Sequence, residues 1–163
     1  MTWLTDRQRH GGIDAVEVPT GGTIWLCGKH LIGPDPEEVL THVGAGALWC
    51  LTEEHELADR YPDYTAWLRR DVRARWQPVY DLGVAPLDTM RAVVSGVVAD
   101  LELFGSVVVH CGAGLGRAGT VAVLTLMSVG CSASEAQQIV ASARPGAGPE
   151  SGAQADLVEG WNQ

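Results

Sequence analysis

A cysteine and an arginine with five residues between them, Cys111 and Arg117, are the pair in this chain best placed to do chemistry. They sit in the stretch Val107–Thr120, VVVHCGAGLGRAGT. An apolar run leads into His110 and Cys111, three glycines follow (Gly112, Gly114, Gly116), and an apolar helical pattern starts after Arg117. That order predicts a buried strand, a glycine-rich loop and a helix start. Glycines let successive backbone N–H groups turn inward and form an anion-binding nest. The helix start aims its unpaired N–H groups and positive end at the same point. The Arg117 guanidinium is a planar, permanently charged fork that matches two phosphate oxygens. Helix N-termini and nearby cations favour thiolates, taking a free-thiol pKa of ~8.5 to roughly 3.5–7.5. A nucleophile beside a cradle made of Gly112, Ala113, Gly114, Leu115, Gly116 and Arg117 is the pairing that nucleophilic phosphoryl transfer needs.

Attack by the thiolate leaves an alkoxide or phenoxide that must be protonated, and a carboxylic acid on a loop can do this and later act as base toward water. Two candidates lie upstream. Asp81 follows a strand candidate and precedes Gly83 and Pro86, so it falls on a loop. Asp88 falls in the first turn of the next helical stretch, where an acid simply suits the helix dipole. Asp81 is the assigned acid. No His, Cys or Asp spacing around His110 makes a metal site, and no cofactor is implied.

The segment His110-Cys111, five residues, Arg117 resembles the signature of the cysteine-dependent protein tyrosine phosphatases, and the chain's length and surroundings are most similar to the small dual-specificity branch. Tyr80–Pro86 also resembles that family's general-acid loop, with one extra residue before the proline and Val79-Tyr80 in place of Trp-Pro. The resemblance implies a cysteinyl-phosphate intermediate, with Cys111 as nucleophile, Arg117 as phosphate clamp and Asp81 as general acid and base. It implies that His110 holds the loop backbone and that Arg144 braces the loop through its carbonyls. In ARPGAGPESGAQ it gives Gln154 as a residue that positions the hydrolytic water; read from the residues alone, Gln154 is a helix-surface glutamine. Cys50, at the end of a predicted strand, is either a buried core cysteine or, as in some members of the family, a redox partner for Cys111. One position departs from the pattern: the family carries Ser or Thr after the arginine, and here Ala118 stands there, with Thr120 as a substitute hydroxyl nearby.

The loop between Cys111 and Arg117 carries no lysine, whereas family members acting on inositol lipids often place basic residues there. The expected substrate is therefore a phosphorylated protein, phosphotyrosine first, with phosphoserine and phosphothreonine also open. The alternatives are a catalytically weak phosphate- or phosphopeptide-binding module, for which Ala118 is the motive, and a phosphatase for a non-protein phosphomonoester such as an inositol lipid. Gly114, Gly116 and Gly119 also match a dinucleotide fingerprint, but that needs a strand ending in an acid about 20 residues on. Gly130-Cys131-Ser132 stands there instead. A rhodanese-like cysteine loop would lack an upstream acid such as Asp81.

The elements that must position these groups follow from the rest of the chain. IDAVEV (13–18) and TIWLC (23–27) read as strands joined at Pro19–Gly22, a hairpin. Asp35-Pro36-Glu37-Glu38 caps a helix ending before Gly44, and GALWCL (46–51) is a buried strand. Thr52 opens a short helix EEHELADR, and TAWLRRDVRARW continues helically with Trp67, Leu68 and Val72 on one face. QPVY (77–80) is a short strand candidate. Residues 87–104 form a long amphipathic helix stopped by Gly105, Ser132 caps a helix to about Ala143, and a last short helix spans 154–161. Strands alternating with helices predict an α/β fold, a central, mostly parallel sheet of about five strands flanked by helices, with the glycine loop at the carboxyl end of a strand.

A chain of 163 residues is one domain by the usual prior, with residues 1–12 as a loose N-terminal arm. The net charge of −9 argues against nucleic-acid or anionic-membrane partners. No apolar run reaches transmembrane length, the N-terminus does not read as a signal peptide, and four scattered cysteines fit reduced thiols in the cytoplasm. Nothing in the sequence fixes the oligomeric state.

Overall fold

The computed structural model describes residues 3–163. Five strands form one sheet: β1 (Ile13–Glu17), β2 (Thr23–Gly28), β3 (Ala47–Cys50), β4 (Ala74–Trp76) and β5 (Ser106–Cys111), in the order β1-β2-β5-β3-β4. β1 and β2 are the expected antiparallel hairpin, and every other pairing is parallel. The last strand in sequence is thus the central one. Val107 and Val109 pack into the core on one face of the sheet and Val108 into the core on the other. A strand covered on both faces has no polar side, which is why it reads as an unbroken apolar run. Register brings the carboxyl ends together: Gly28 lies opposite Cys111, and Cys50 opposite His110.

The helices are α1 (Arg7–His10), α2 (Lys29–Ile32), α3 (Pro36–Val43), α4 (Pro62–Arg70), α5 (Leu87–Phe104), α6 (Arg117–Ser128), α7 (Ala133–Ala143) and α8 (Ala153–Gly160). α2, α3 and α4 cover one face of the sheet, and α5 to α8 the other. α6 is buried along nearly its whole length, so its N-terminus is fixed against β5 rather than free to fray. The caps act where the sequence places them. Asp35 accepts from the Glu38 N–H, Ser132 from the Glu135 N–H, and Gly44 and Gly105 close α3 and α5 in the left-handed conformation.

Three expectations are corrected. Helix α4 stops at Arg70 because the Asp71 carboxylate captures the Arg73 backbone N–H and starts a turn. The following Ala74–Trp76 pairs with β3 as the sheet edge, and Val72, assigned to the buried helix face, is exposed. Gln77–Tyr80 is an extended continuation of that edge, with the Gln77 and Val79 N–H groups donating to Cys50 and Leu51 carbonyls. EEHELADR is not a helix capped by Thr52: only Glu54–Glu56 forms a 3-10 turn, capped by Glu53 and Glu56. The N-terminal arm is docked from Trp3 onward. The Trp3 indole N–H donates to the Leu31 carbonyl, His10 is buried, and Arg144 holds the Gly11 and Gly12 carbonyls. Residues 1 and 2 of that predicted arm lie outside the described residues.

Candidate active site

Cys111 ends β5 and is buried at the start of the loop. The loop closes tightly over β2. Gly114 has φ +75°, and a Cβ there would stand 2.5 Å from the Cys27 backbone, so the position requires glycine on both counts. The loop's carbonyls are tied outward. Gly112 accepts from the Lys29 N–H (3.0 Å), Gly114 from Arg144 Nε (3.0 Å) and Ala113 from Arg144 Nη2 (2.8 Å). Arg144 is itself fixed by Asp14 at 2.7 Å. With the carbonyls held outward, the Ala118 N–H at the start of α6 reaches the Cys111 Sγ at 3.4 Å. The sulfur therefore sits at a helix N-terminus, where a negative charge is favoured.

His110 lies beneath this arrangement. Its Nε2 meets the Tyr64 hydroxyl at 2.6 Å and its Nδ1 the Cys111 carbonyl at 3.2 Å. Burial pushes the imidazole down to about 4, and the Arg117 charge acts in the same direction against the Cys111 hydrogen bond. The ring is neutral at pH 7, so Nδ1–H donates to the carbonyl and Nε2 accepts from Tyr64. Both ring nitrogens are thereby engaged, and the ring braces the loop without carrying charge.

Arg117 shows the residue that sequence reasoning missed. Its two Nη atoms grip the Glu56 carboxylate, each at 2.8 Å, and Nη1 also donates to the Val79 carbonyl at 2.8 Å. The Arg117 side chain is 3% exposed and that of Glu56 13%. Burial opposes the Glu56 charge most, yet the Arg117 hydrogen bonds, the Glu53 N–H and the charges of Arg117 and Lys29 together outweigh it and hold the carboxyl below the usual range. The guanidinium is thereby locked in one plane. Its Nε–H is buried and has no hydrogen-bond partner among the described residues. Glu56 sits in the acidic run Glu53-Glu54-His55-Glu56, where no spacing distinguishes it from its neighbours.

Asp81 stands on the loop after the extended edge segment, 75% exposed, with Oδ1 3.6 Å from Arg117 Nη2. The structure brings it to the phosphate loop, whereas Asp88 lies in the first turn of α5 beside a different hollow, next to Trp49 and Arg75. Gln154 is fully buried rather than on a helix surface. Its Nε2 donates to the Gly83 carbonyl at 3.2 Å, and its Oε1 accepts from the Glu150 N–H at 2.9 Å and Thr120 Oγ1 at 3.2 Å. Both ends of the amide are engaged, so the side chain straps the loop carrying Asp81 to α6. The Thr120 hydroxyl is spent on Gly116 and Gln154, not on Cys111, and Ala118 is wholly buried beside the sulfur. Among the described residues, no hydroxyl therefore replaces the one the family pattern carries. Cys50 is buried, its thiol meets Thr52 Oγ1 at 3.1 Å, and burial pushes it up to about 11 against the help of Thr52.

The family model of the Swiss Army Knife protein DSP-PTPase phosphatase domain, PTP-SAK, matches residues 33–154. The chain belongs to that family. The PTP-SAK domain is a phosphatase of the cysteine-dependent protein tyrosine phosphatase type, on the dual-specificity-like fold. It is similar to Tk-PTP in its active form at 25% identity and TM-score 0.68, with 89% of this chain and 93% of that one covered. Kinase associated phosphatase, with its catalytic cysteine replaced by serine, superposes at TM-score 0.76 and 16% identity, covering 92% and 93%. PTPMT1 in complex with PI(5)P does so at 0.70 and 19%, covering 89% and 92%. No curated protein sequence matches this chain.

Proposed function

We propose that this PTP-SAK domain hydrolyses phosphotyrosine in proteins through a cysteinyl-phosphate. The observation that carries the reading is the juxtaposition of the Cys111 sulfur, 3.4 Å from the Ala118 N–H at the start of α6, with an Arg117 guanidinium locked by Glu56 and holding one N–H unpartnered among the described residues. A phosphoryl group seated in the loop gives that N–H an acceptor and puts phosphorus in line with the sulfur. The Cys111 thiolate attacks phosphorus as the bond to the leaving oxygen breaks, and Asp81 gives that oxygen its proton. Water then attacks the cysteinyl-phosphate, Asp81 takes its proton, and the thiolate departs with inorganic phosphate released. The inward N–H groups and Arg117 are fixed before substrate arrives, so charge on the equatorial oxygens meets preorganised donors. The neutral side chains of Gly112–Gly116 and the net charge of −9 favour a phosphoprotein over an anionic lipid surface.

One observation favours a second reading, binding with little turnover: the second step lacks a hydroxyl beside the sulfur, because Ala118 replaces it and Thr120 is engaged elsewhere. Hydrolysis of phosphotyrosine, phosphoserine and phosphothreonine peptides and a short-chain inositol lipid, by the native protein and by Cys111→Ser and Asp81→Asn, tests both. Phosphotyrosine is expected to turn over fastest. Cys111→Ser is expected to abolish turnover, and Asp81→Asn to cut it roughly 10²–10⁴-fold. Faster hydrolysis of the lipid overturns the substrate class, and tight binding without turnover by the native protein favours the second reading.

A further inference from the structure

The phosphate loop supplies no cation between Cys111 and Arg117, yet its surroundings do. A hollow of about 500 Å³ opens beside Gly112, Ala113 and Leu115 and is walled on its far side by Arg9 and His30. Arg9 and His30 also line an adjoining hollow of about 480 Å³, completed by Arg60 with the rings of Trp3 and Tyr61. The two hollows share Arg9, His10 and His30, and the first is also lined by Gly112, Ala113 and Leu115 of the loop that follows Cys111. Neither Arg9 nor Arg60 forms an ion pair among the described residues, and Arg60 lies over the Tyr61 ring at 5.7 Å. His30 Nδ1 meets the Tyr61 hydroxyl at 2.8 Å, so its ring is held in place. Burial, then the charges of Arg60 and Lys29, hold the His30 imidazole below its ordinary range, which places those cations around it. In a chain of net charge −9, free guanidinium groups gathered at an aromatic-walled hollow mark a place for an anion.

We infer that the hollow bounded by Arg9, His30 and Arg60 is a second phosphate subsite, which takes a second phosphorylated side chain of the peptide whose phosphotyrosine occupies the Cys111 loop. Guanidinium groups match phosphate oxygens in a planar, bidentate way, and the Trp3 and Tyr61 rings give an aryl body a surface to lie on. The N-terminal segment is essential to this assignment, because Trp3 and Arg9 come from it and its docking onto Leu31 and Arg144 fixes them in place. The inference rests on the proposed phosphotyrosine activity for its first phosphate, but not for the second.

Two measurements keep the claims separable. The kcat/KM of the native protein is compared on singly phosphorylated peptides and on doubly phosphorylated ones, the second phosphotyrosine being stepped along either side of the first. The same peptides are titrated by calorimetry against Cys111→Ser, which reads the subsite whether or not chemistry occurs. A preference of about tenfold for one doubly phosphorylated spacing is expected in both, from two charge-assisted contacts at an exposed site. Replacing Arg9 and Arg60 together by serine is expected to erase it while leaving hydrolysis of the singly phosphorylated peptide unchanged. Equal affinity for all peptides, or a preference that survives the double replacement, overturns the subsite. So does an arginine-dependent preference shown by a doubly phosphorylated, short-chain inositol lipid and not by any peptide. Absence of turnover with the calorimetric preference intact overturns the phosphotyrosine activity alone.

Discussion

Replacing Glu56 by glutamine removes one negative charge and leaves the shape of the side chain. Arg117 then keeps its bond to the Val79 carbonyl and one amide oxygen in place of a two-oxygen grip. Both partners are largely withdrawn from water. Removing one member of such a pair costs about 3–5 kcal/mol, because the other is left as an uncompensated buried charge. The retained amide oxygen and the Glu53 N–H it still accepts put Glu56→Gln near the lower end, about 3 kcal/mol. For a chain of this size roughly 2–4 °C of Tm is lost per kcal/mol, so Tm is expected to fall by about 6–12 °C. A phosphate dianion in the loop supplies the missing negative charge, so saturating inorganic phosphate is expected to recover more of the Tm in Glu56→Gln than it adds to the native protein. Turnover is expected to fall by about 10-fold or more, since a guanidinium free to rotate no longer meets the transferring oxygens in one geometry. The difference also depends on pH with a definite sign. The folded Glu56 pKa lies below its unfolded value of ~4.3, so the stabilisation is complete above that pH and disappears as pH falls through the lower, folded value. The native protein and the variant should therefore begin to converge in stability as the pH drops below the unfolded value, and meet only once it is below the lowered, folded one. The assay is thermal unfolding across pH with and without phosphate, beside kcat/KM on an aryl phosphate. Equal Tm values at pH 7 with unchanged turnover would refute the assignment of Glu56 as the group that locks Arg117.

Three further outcomes follow from the same geometry. Ala118→Ser places a hydroxyl beside the Cys111 sulfur, where one hydrogen bond to a departing thiolate is worth about 1.5–3 kcal/mol. Where breakdown of the intermediate limits, steady-state turnover should rise about 10-fold or more in rapid-quench kinetics while the burst rate stays the same; no change in either contradicts the role given to that position. Tyr64→Phe strands the buried His110 Nε2 without its donor and should cost about 1–3 kcal/mol in urea unfolding, with a loosened imidazole tautomer in nitrogen-detected NMR. An unmoved urea midpoint would argue against it. Cys50, held as a thiol by burial against the Thr52 hydrogen bonds, is expected to remain reduced when peroxide oxidises Cys111, and a Cys50–Cys111 disulfide in peptide mapping would overturn that reading of it as a core residue.

Local chemistry was the most legible part of the chain. Val107–Thr120 announces strand, loop and helix because each uses a different local rule: an apolar run, glycines at a tight approach, then helical spacing. The caps at Asp35 and Ser132 and the stops at Gly44 and Gly105 are equally local, and α3, α5 and α7 lie where they set them. The errors fall where long-range contacts decide. Ala74–Trp76 follows about three helical turns' worth of helix-compatible sequence, and only the free edge of β3 makes it a strand. The N-terminal arm is polar and looks unattached, yet Arg144, 130 residues away, reaches Asp14 and the adjoining carbonyls. Glu56 and the buried setting of Gln154 were hidden for the same reason: each is defined by a partner far along the chain, Arg117 and Gly83 respectively.

The central claim is that Cys111 carries the phosphoryl group between substrate and water. It is tested most directly by acid-quenching the native protein within its first turnover on a phosphotyrosine peptide and locating phosphate on its peptides by mass spectrometry. The account predicts one phosphorylated peptide, the one containing Cys111, formed as fast as the first product appears, enriched because Ala118 slows its breakdown, and missing from Cys111→Ser. Turnover that persists in Cys111→Ser, or phosphate found on any residue other than Cys111, would contradict it.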